Sequence, residues 1–247
     1  MLLSLSPKTR KLINSYQNLK IGNYKVCCPY FQNIAKKKGG AVFVGKGLPE
    51  EIEEETVKLF RKNRNNLEKY EPTSIRLYMV MAGLGIDCSG FATRIIDSLL
   101  NEKWLGSIRN NLRPRKLPTL IRFFLRPHTN LSADDLTSDI NCVEIKDIHS
   151  VLPGDLIKVG KRHVALVSKV KKEKENVTKI EYYHSTSDYL DKHGVRKGSI
   201  IINKLGKPLE KQKWDEYYHG RNWILEDFLK TSNSDRGIRR LKYLITK

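Results

Sequence analysis

Cysteine is scarce in this chain, and its scarcity is informative. Four cysteines among 247 residues, Cys27, Cys28, Cys88 and Cys142, are too few to staple a fold of this size, and no two have the C-x-x-C spacing of a zinc site. A disulfide scaffold is therefore excluded, and a reducing compartment is the simplest expectation. Long hydrophobic runs are missing as well: nothing approaches the roughly 20 apolar residues of a spanning helix. The start, MLLSLSPKTRK, lacks the basic region and small-residue cleavage site of a signal peptide, so the default expectation is a cytoplasmic protein, with release to the cell wall by another route left open. Acidic residues are outnumbered, 27 Asp and Glu against 46 Lys and Arg, which gives a formal net charge of +19. That excess favours polyanions (an anionic membrane, an acidic wall polymer or nucleic acid) without choosing among them. No internal repeat is present, which argues against a solenoid.

What is present suffices for a real core: 39% of residues are hydrophobic. The first 48 residues read as an extension of unassigned role, with KVCCPYFQN and GAVFVGKG as strands around a KKKGG turn. LPEEIEEETVKLFRKN is a helix, with Pro49 in its first turn, glutamates at the positive dipole end and Lys58, Arg61 and Lys62 at the other.

In GLGIDCSGFATRIIDSLL the apolar positions Phe91, Ala92, Ile95, Ile96, Leu99 and Leu100 recur along one helical face. Cys88 then stands at a helix N-terminus, where unpaired amides and the dipole favour thiolate and lower the thiol pKa. Gly85 and Gly90 are expected to keep its surroundings open to a substrate.

A nucleophile needs a base. PGD leads into the short strand DLIKV, RHVALVSKV alternates as a half-buried strand, and VTKIEYYHS sets Ile180, Tyr182 and His184 on one face. A hairpin of 162–170 with 177–185, looped over 171–176, pairs residues whose numbers sum to 347. His163 then directly opposes His184, one ring taking the thiol proton and the other orienting it.

GIDCSGF at 85–91, LPGDLI at 152–157, HVALV at 163–167 and YYHSTS at 182–187 resemble, in order, the NlpC/P60 family of papain-like cysteine peptidases. The resemblance spans about residues 75 to 205. It implies an α+β papain-like core with the nucleophile helix packed on an antiparallel sheet. Cys88 would be the nucleophile, His163 the base and His184 the orienting residue, with Asp87, Ser89 and Tyr78 bordering the substrate. It further implies hydrolysis of amide bonds in peptidoglycan stem peptides through an acyl-enzyme, without cofactor or metal. The expected catalytic domain is 49–230, with an insertion at about 104–135 that lengthens the stretch between Cys88 and His163, and with a basic tail at 231–247. Proteins with the same core also include lipid-directed acyltransferases and amidases, and a non-enzymatic basic binding protein is a third expectation.

The insertion holds six basic residues between Leu105 and Pro127, Arg109, Arg113, Arg115, Lys116, Arg122 and Arg126, and no acidic one. It reads as a lid or as an attachment to an anionic surface. His128, His149, His193 and His219 have no metal-ligand spacing, Cys142 reads as core, and the aromatic segment WDEYYHGRNWILEDFLK reads as a cap on the core.

Overall fold

The computed structural model describes residues 1–33, 40–63 and 66–245. Most of the expected KKKGG turn, 36–39, lies outside the described residues. The chain runs β1 (Leu2–Ser4), α1 (Pro7–Gln17), β2 (Leu19–Ile21), β3 (Tyr24–Val26), α2 (Pro49–Lys62), α3 (Pro72–Ala82) and α4 (Cys88–Glu102). The insertion follows as α5 (Ile108–Asn111), α6 (Leu117–Leu125) and α7 (Ala133–Leu136). Then come β4 (Cys142–Ile145), β5 (Leu156–Val159), β6 (His163–Glu173), β7 (Asn176–Thr186), β8 (Gly194–Ile201), β9 (Lys213–Asp215), α8 (Trp223–Lys230) and β10 (Arg236–Leu241).

The fold is α+β, built on an antiparallel sheet in the order β4-β10-β5-β6-β7-β8-β9, with β1 added along the far half of β6. Alternation along β6 divides two cores. Val164 and Leu166 join the apolar face of α4 together with α1 and the N-terminal segment. Ala165 and Val167 pack on the other side with Tyr182, Trp214 and Phe228. In α4 the predicted stripe Phe91, Ala92, Ile95, Ile96, Leu99 and Leu100 is buried. Each larger aliphatic or aromatic member stabilises the docking of the helix by about 1.5–3 kcal/mol relative to exposure. Among the described residues no helix is long and apolar enough to cross a membrane.

Both flanks are woven into this body. In the first 48 residues Thr9 donates to Glu102 at 2.7 Å, Tyr16 donates to the Gly47 carbonyl at 2.9 Å, and β1 pairs with β6. The segment read as a basic tail supplies β10, which lies between β4 and β5. Its Arg240 grips the buried Asp155 of the Pro-Gly-Asp turn with two bonds, 2.7 and 2.8 Å. GAVFVGKG is not a strand: Ala41–Val44 form a 3-10 turn, since the run has no alternating polar positions to face solvent. In KVCCPYFQN only the start is strand, within β3, and Pro29, which has no amide to donate, stands beyond it.

The hairpin of β6 and β7 is longer than expected. Its connection is only Lys174 and Glu175, Lys174 having a positive φ of 53°, because the charged residues read as loop form a solvated strand end. Paired numbers near the site sum to 349, as in Leu166 with Tyr183, and not to 347. A shift of two preserves the face of every side chain, so the common face of the histidines survives the altered register.

Candidate active site

The β6–β7 ladder stops at Leu166 and Tyr183, three residues short of His163. Beyond that rung β6 continues with β5 alone and β7 with β8 alone, so the two strands open into a fork. Cys88 occupies it. Its Sγ donates to the Arg162 carbonyl at 3.3 Å and receives the backbone N–H of Val164. These peptide groups flank His163 and have lost their β7 partners, so the start of α4 is fixed against the backbone of the candidate base.

Across the fork His163 Nε2 and His184 Nδ1 are 2.7 Å apart, with ring centroids at 4.9 Å. The histidines are therefore joined diagonally between diverging strands, where direct opposition was expected. The contact continues: His184 Nε2 lies 2.9 Å from Glu216 Oε1. Glu216 also accepts from Tyr182 Oη at 2.8 Å and from Arg196 Nε at 3.1 Å. Burial alone would push its carboxyl up, but His184, Tyr182 and Arg196 outweigh burial and hold it down at about 2.

An ionised carboxylate can only accept, so it fixes the tautomers behind it. With one proton on each ring, His184 carries its proton on Nε2 and offers the Nδ1 lone pair to His163. His163 then carries its proton on Nε2, and its Nδ1 lone pair is free for a thiol proton.

Sequence reading missed Glu216. It follows Trp214 by two positions just after β9, and alternation puts both side chains inward. The segment WDEYYHG was read for its aromatics only.

The electrostatics of Cys88 differ from expectation. Burial first, and then the Asp87 carboxylate, push the thiol up to about 12, against Lys46 and the N–H groups of Val164 and Ser89. The dipole of a helix end contributes only about 0.3–2 kcal/mol, and here it is outweighed. Although His163 as a whole residue is only half-buried, burial and then His184 bring its pKa down to about 3, against the pull of Glu216. The resting pair is thus a thiol and a neutral imidazole. Among the described residues no hydrogen bond joins Sγ to the imidazole, and the thiol proton rests on the Arg162 carbonyl.

Asp87 and Ser89, expected at the substrate, bond to each other and to the chain around them. Asp87 caps α4, its Oδ1 accepting from Gly90 N at 2.6 Å, Ser89 Oγ at 3.0 Å and the buried Lys46 Nζ at 2.8 Å. Lys46 also donates to Ser89 Oγ and, at 3.3 Å, to the Leu131 carbonyl. One ammonium therefore ties the N-terminal segment, the start of α4 and the insertion together. Tyr78 packs on Phe60 at 4.2 Å and bonds to Asn63 and Leu59, between α2 and α3. Tyr30, whose backbone bridges Ile86 two residues before Cys88, has its hydroxyl pushed up by burial and then by the charges of Cys88 and Asp87. Gly85 and Gly90 serve close backbone approach: a Cβ would lie 2.4 Å from Pro29 O at the first and 2.3 Å from Gly45 O at the second.

The remaining four histidines have separate partners: His128 meets Asp97 at 3.0 Å, His149 accepts from Val177 N and His193 from Tyr30 N, each at 3.1 Å, and the His219 ring packs on Tyr218. Cavities open on several sides of the fold. One of about 660 Å³ between α3 and β8 is lined by His193 and Arg196, the latter also bound to Glu216. No known family, curated protein or solved structure matches this chain.

Proposed function

We propose that the protein is a thiol amidase or peptidase of the NlpC/P60 type, with Cys88 as nucleophile, His163 as base and the pair His184 and Glu216 as its orienting relay. The observation that carries this reading is the His163–His184–Glu216 chain ending at the residue whose two peptide groups hold the Cys88 sulfur. Three titratable side chains in line have no packing rationale that apolar residues would not satisfy better.

The substrate carbonyl displaces the Arg162 carbonyl from the thiol, and the thiol proton passes to His163 Nδ1 as Sγ attacks. Negative charge on the carbonyl oxygen falls to the Cys88 N–H, a first-turn amide of α4 that the helix leaves without an internal acceptor. His163 returns the proton to the departing amine, leaving an acyl group on Sγ. Water then attacks the thioester, with its proton taken by His163 and delivered to sulfur. A base held near 3 and a thiol near 12 make the ion pair costly at rest, so proton transfer coincides with attack.

The substrate class follows the sequence resemblance: amide bonds of peptidoglycan stem peptides. An acyl group drawn from a lipid is the second reading, favoured by the apolar surface of the insertion described below. Purified protein incubated with defined stem peptides, with mass spectrometry of peptides and protein, tests the proposal. Cleavage with a transient acyl adduct on Cys88, absent in Cys88→Ala, is expected. An adduct derived only from acyl-labelled phospholipid selects the second reading. No adduct from either overturns both.

A further inference from the structure

The insertion presents a surface for which the thiol chemistry has no use. α6 spans nine residues, Leu117–Leu125. At 100° per residue, Leu117, Ile121, Phe124 and Leu125 fall within about 100° of one another. All four face water, at 77%, 72%, 46% and 74% exposure. The opposite side anchors the helix through Phe123, which is fully buried. The amphipathicity is thus inverted: the wide apolar stripe that would ordinarily face a core faces out.

Cations frame this stripe. Arg122 stands about 60° beyond Leu125 at one edge of it, Arg126 caps the helix, Arg113 and Lys116 precede it, and the Arg113 guanidinium sits 5.9 Å over the Phe124 ring. Arg115 is paired, with Asp134 at 3.1 Å, and the segment from 105 to 127 contains no acid of its own. Trp104, 92% exposed, stands at the base of the insertion. Nine helical residues reach roughly 13.5 Å, far short of the ~30 Å hydrocarbon core, so such a helix can only lie along a membrane surface.

We propose that α6 is an interfacial membrane anchor that docks the protein on an anionic lipid bilayer. Leu117, Ile121, Phe124 and Leu125 enter the boundary between headgroups and acyl chains, while Arg113, Lys116, Arg122 and Arg126 meet lipid phosphates. The pairing of stripe and rim selects a bilayer over a soluble polyanion. Nucleic acid or an acidic wall polymer would use the cations and leave four large apolar side chains in water. The proposal is independent of the chemistry assigned to Cys88.

Cosedimentation of the full chain with vesicles decides it. The chain should bind phosphatidylcholine vesicles containing phosphatidylglycerol and should leave pure phosphatidylcholine vesicles largely unbound. Ile121→Ser with Leu125→Ser should lower the partition coefficient by about tenfold or more, as should Arg122→Gln with Arg126→Gln. These side chains are exposed, so unchanged thermal melting is expected and serves as the fold control. Cys88→Ala should bind as the parent does, which separates this test from that of the enzyme. Failure to bind the anionic vesicles overturns the proposal. Binding that survives the apolar pair but is lost with the arginine pair overturns it too, and reassigns the segment to a soluble polyanion.

Discussion

His184 Nε2 and Glu216 Oε1 lie 2.9 Å apart, with both side chains 1% exposed. The carboxylate holds one proton position on His184 and, through it, one on His163. Glu216→Gln keeps the shape but offers an amide that can also donate, so both tautomers lose their reference. Turnover of a cleaved stem peptide should fall by about a hundredfold, with folding largely kept. Glu216→Ala additionally leaves Arg196, Tyr182 and His184 without their acceptor and should cost about 3–5 kcal/mol in denaturant unfolding. Full activity in Glu216→Gln would remove the carboxylate from the relay.

The same groups make the fold acid-sensitive. An unfolded histidine takes a proton near pH 6.5, whereas folded His163 refuses it until about 3. The unfolded state therefore binds more protons in that window. The contribution of His163 is present above about pH 6.5 and is lost as pH falls towards 3. Glu216, held at about 2, adds a second loss below its ordinary carboxylate range. Melting temperature should decline from pH 7 to pH 4, and His163→Gln should flatten the part between pH 6.5 and 5. An unchanged slope in that variant would assign the acid sensitivity to other groups.

The sequence made the Cys88 helix legible because its burial stripe has a period that only a helix satisfies, and all six of its apolar positions are inward. The shared face of His163 and His184 was legible for a similar reason, since strand parity tolerates a shift of two. The register was not: charged residues 171 to 173 serve equally well in a loop or a solvated strand end, and no pattern in them marks the turn. Glu216 lies 32 positions beyond His184 and reaches it only because β9 pairs with β8, a neighbour relation that no local signal encodes. Tyr30 was obscured likewise. Its place near α4 depends on its bridge to Ile86 across more than fifty residues, while Tyr78, close in sequence to Cys88, turns towards Phe60.

His184 must accept from one neighbour and donate to the other. A carboxamide can do both, with its oxygen towards His163 and its nitrogen towards Glu216. Steady-state assays should therefore rank His184→Asn well above His184→Ala, with His163→Ala near the background of Cys88→Ala. Equal activity of His184→Ala and the parent would end the orienting role.

Lys46 and Asp87 act on the thiol in opposite directions, which allows a test without any substrate. The carboxylate pushes Cys88 up and the ammonium pulls it down. Iodoacetamide alkylation of Cys88, followed by peptide mass spectrometry, should climb about tenfold per pH unit from 7 to 10, since a thiol held near 12 is far from half ionised there. Asp87→Asn removes the anion while keeping a good helix cap, and should alkylate faster at every pH. Lys46→Met should alkylate more slowly. It also leaves the buried Asp87 carboxylate without its cation, at a cost of about 3–5 kcal/mol, much of which Lys46→Met combined with Asp87→Asn should recover. Two outcomes would decide against this account. A plateau in alkylation near pH 8 would mean that the helix terminus does lower the thiol after all. Equal rates in the two single variants would mean that access past the Arg162 turn, and not charge, governs the sulfur.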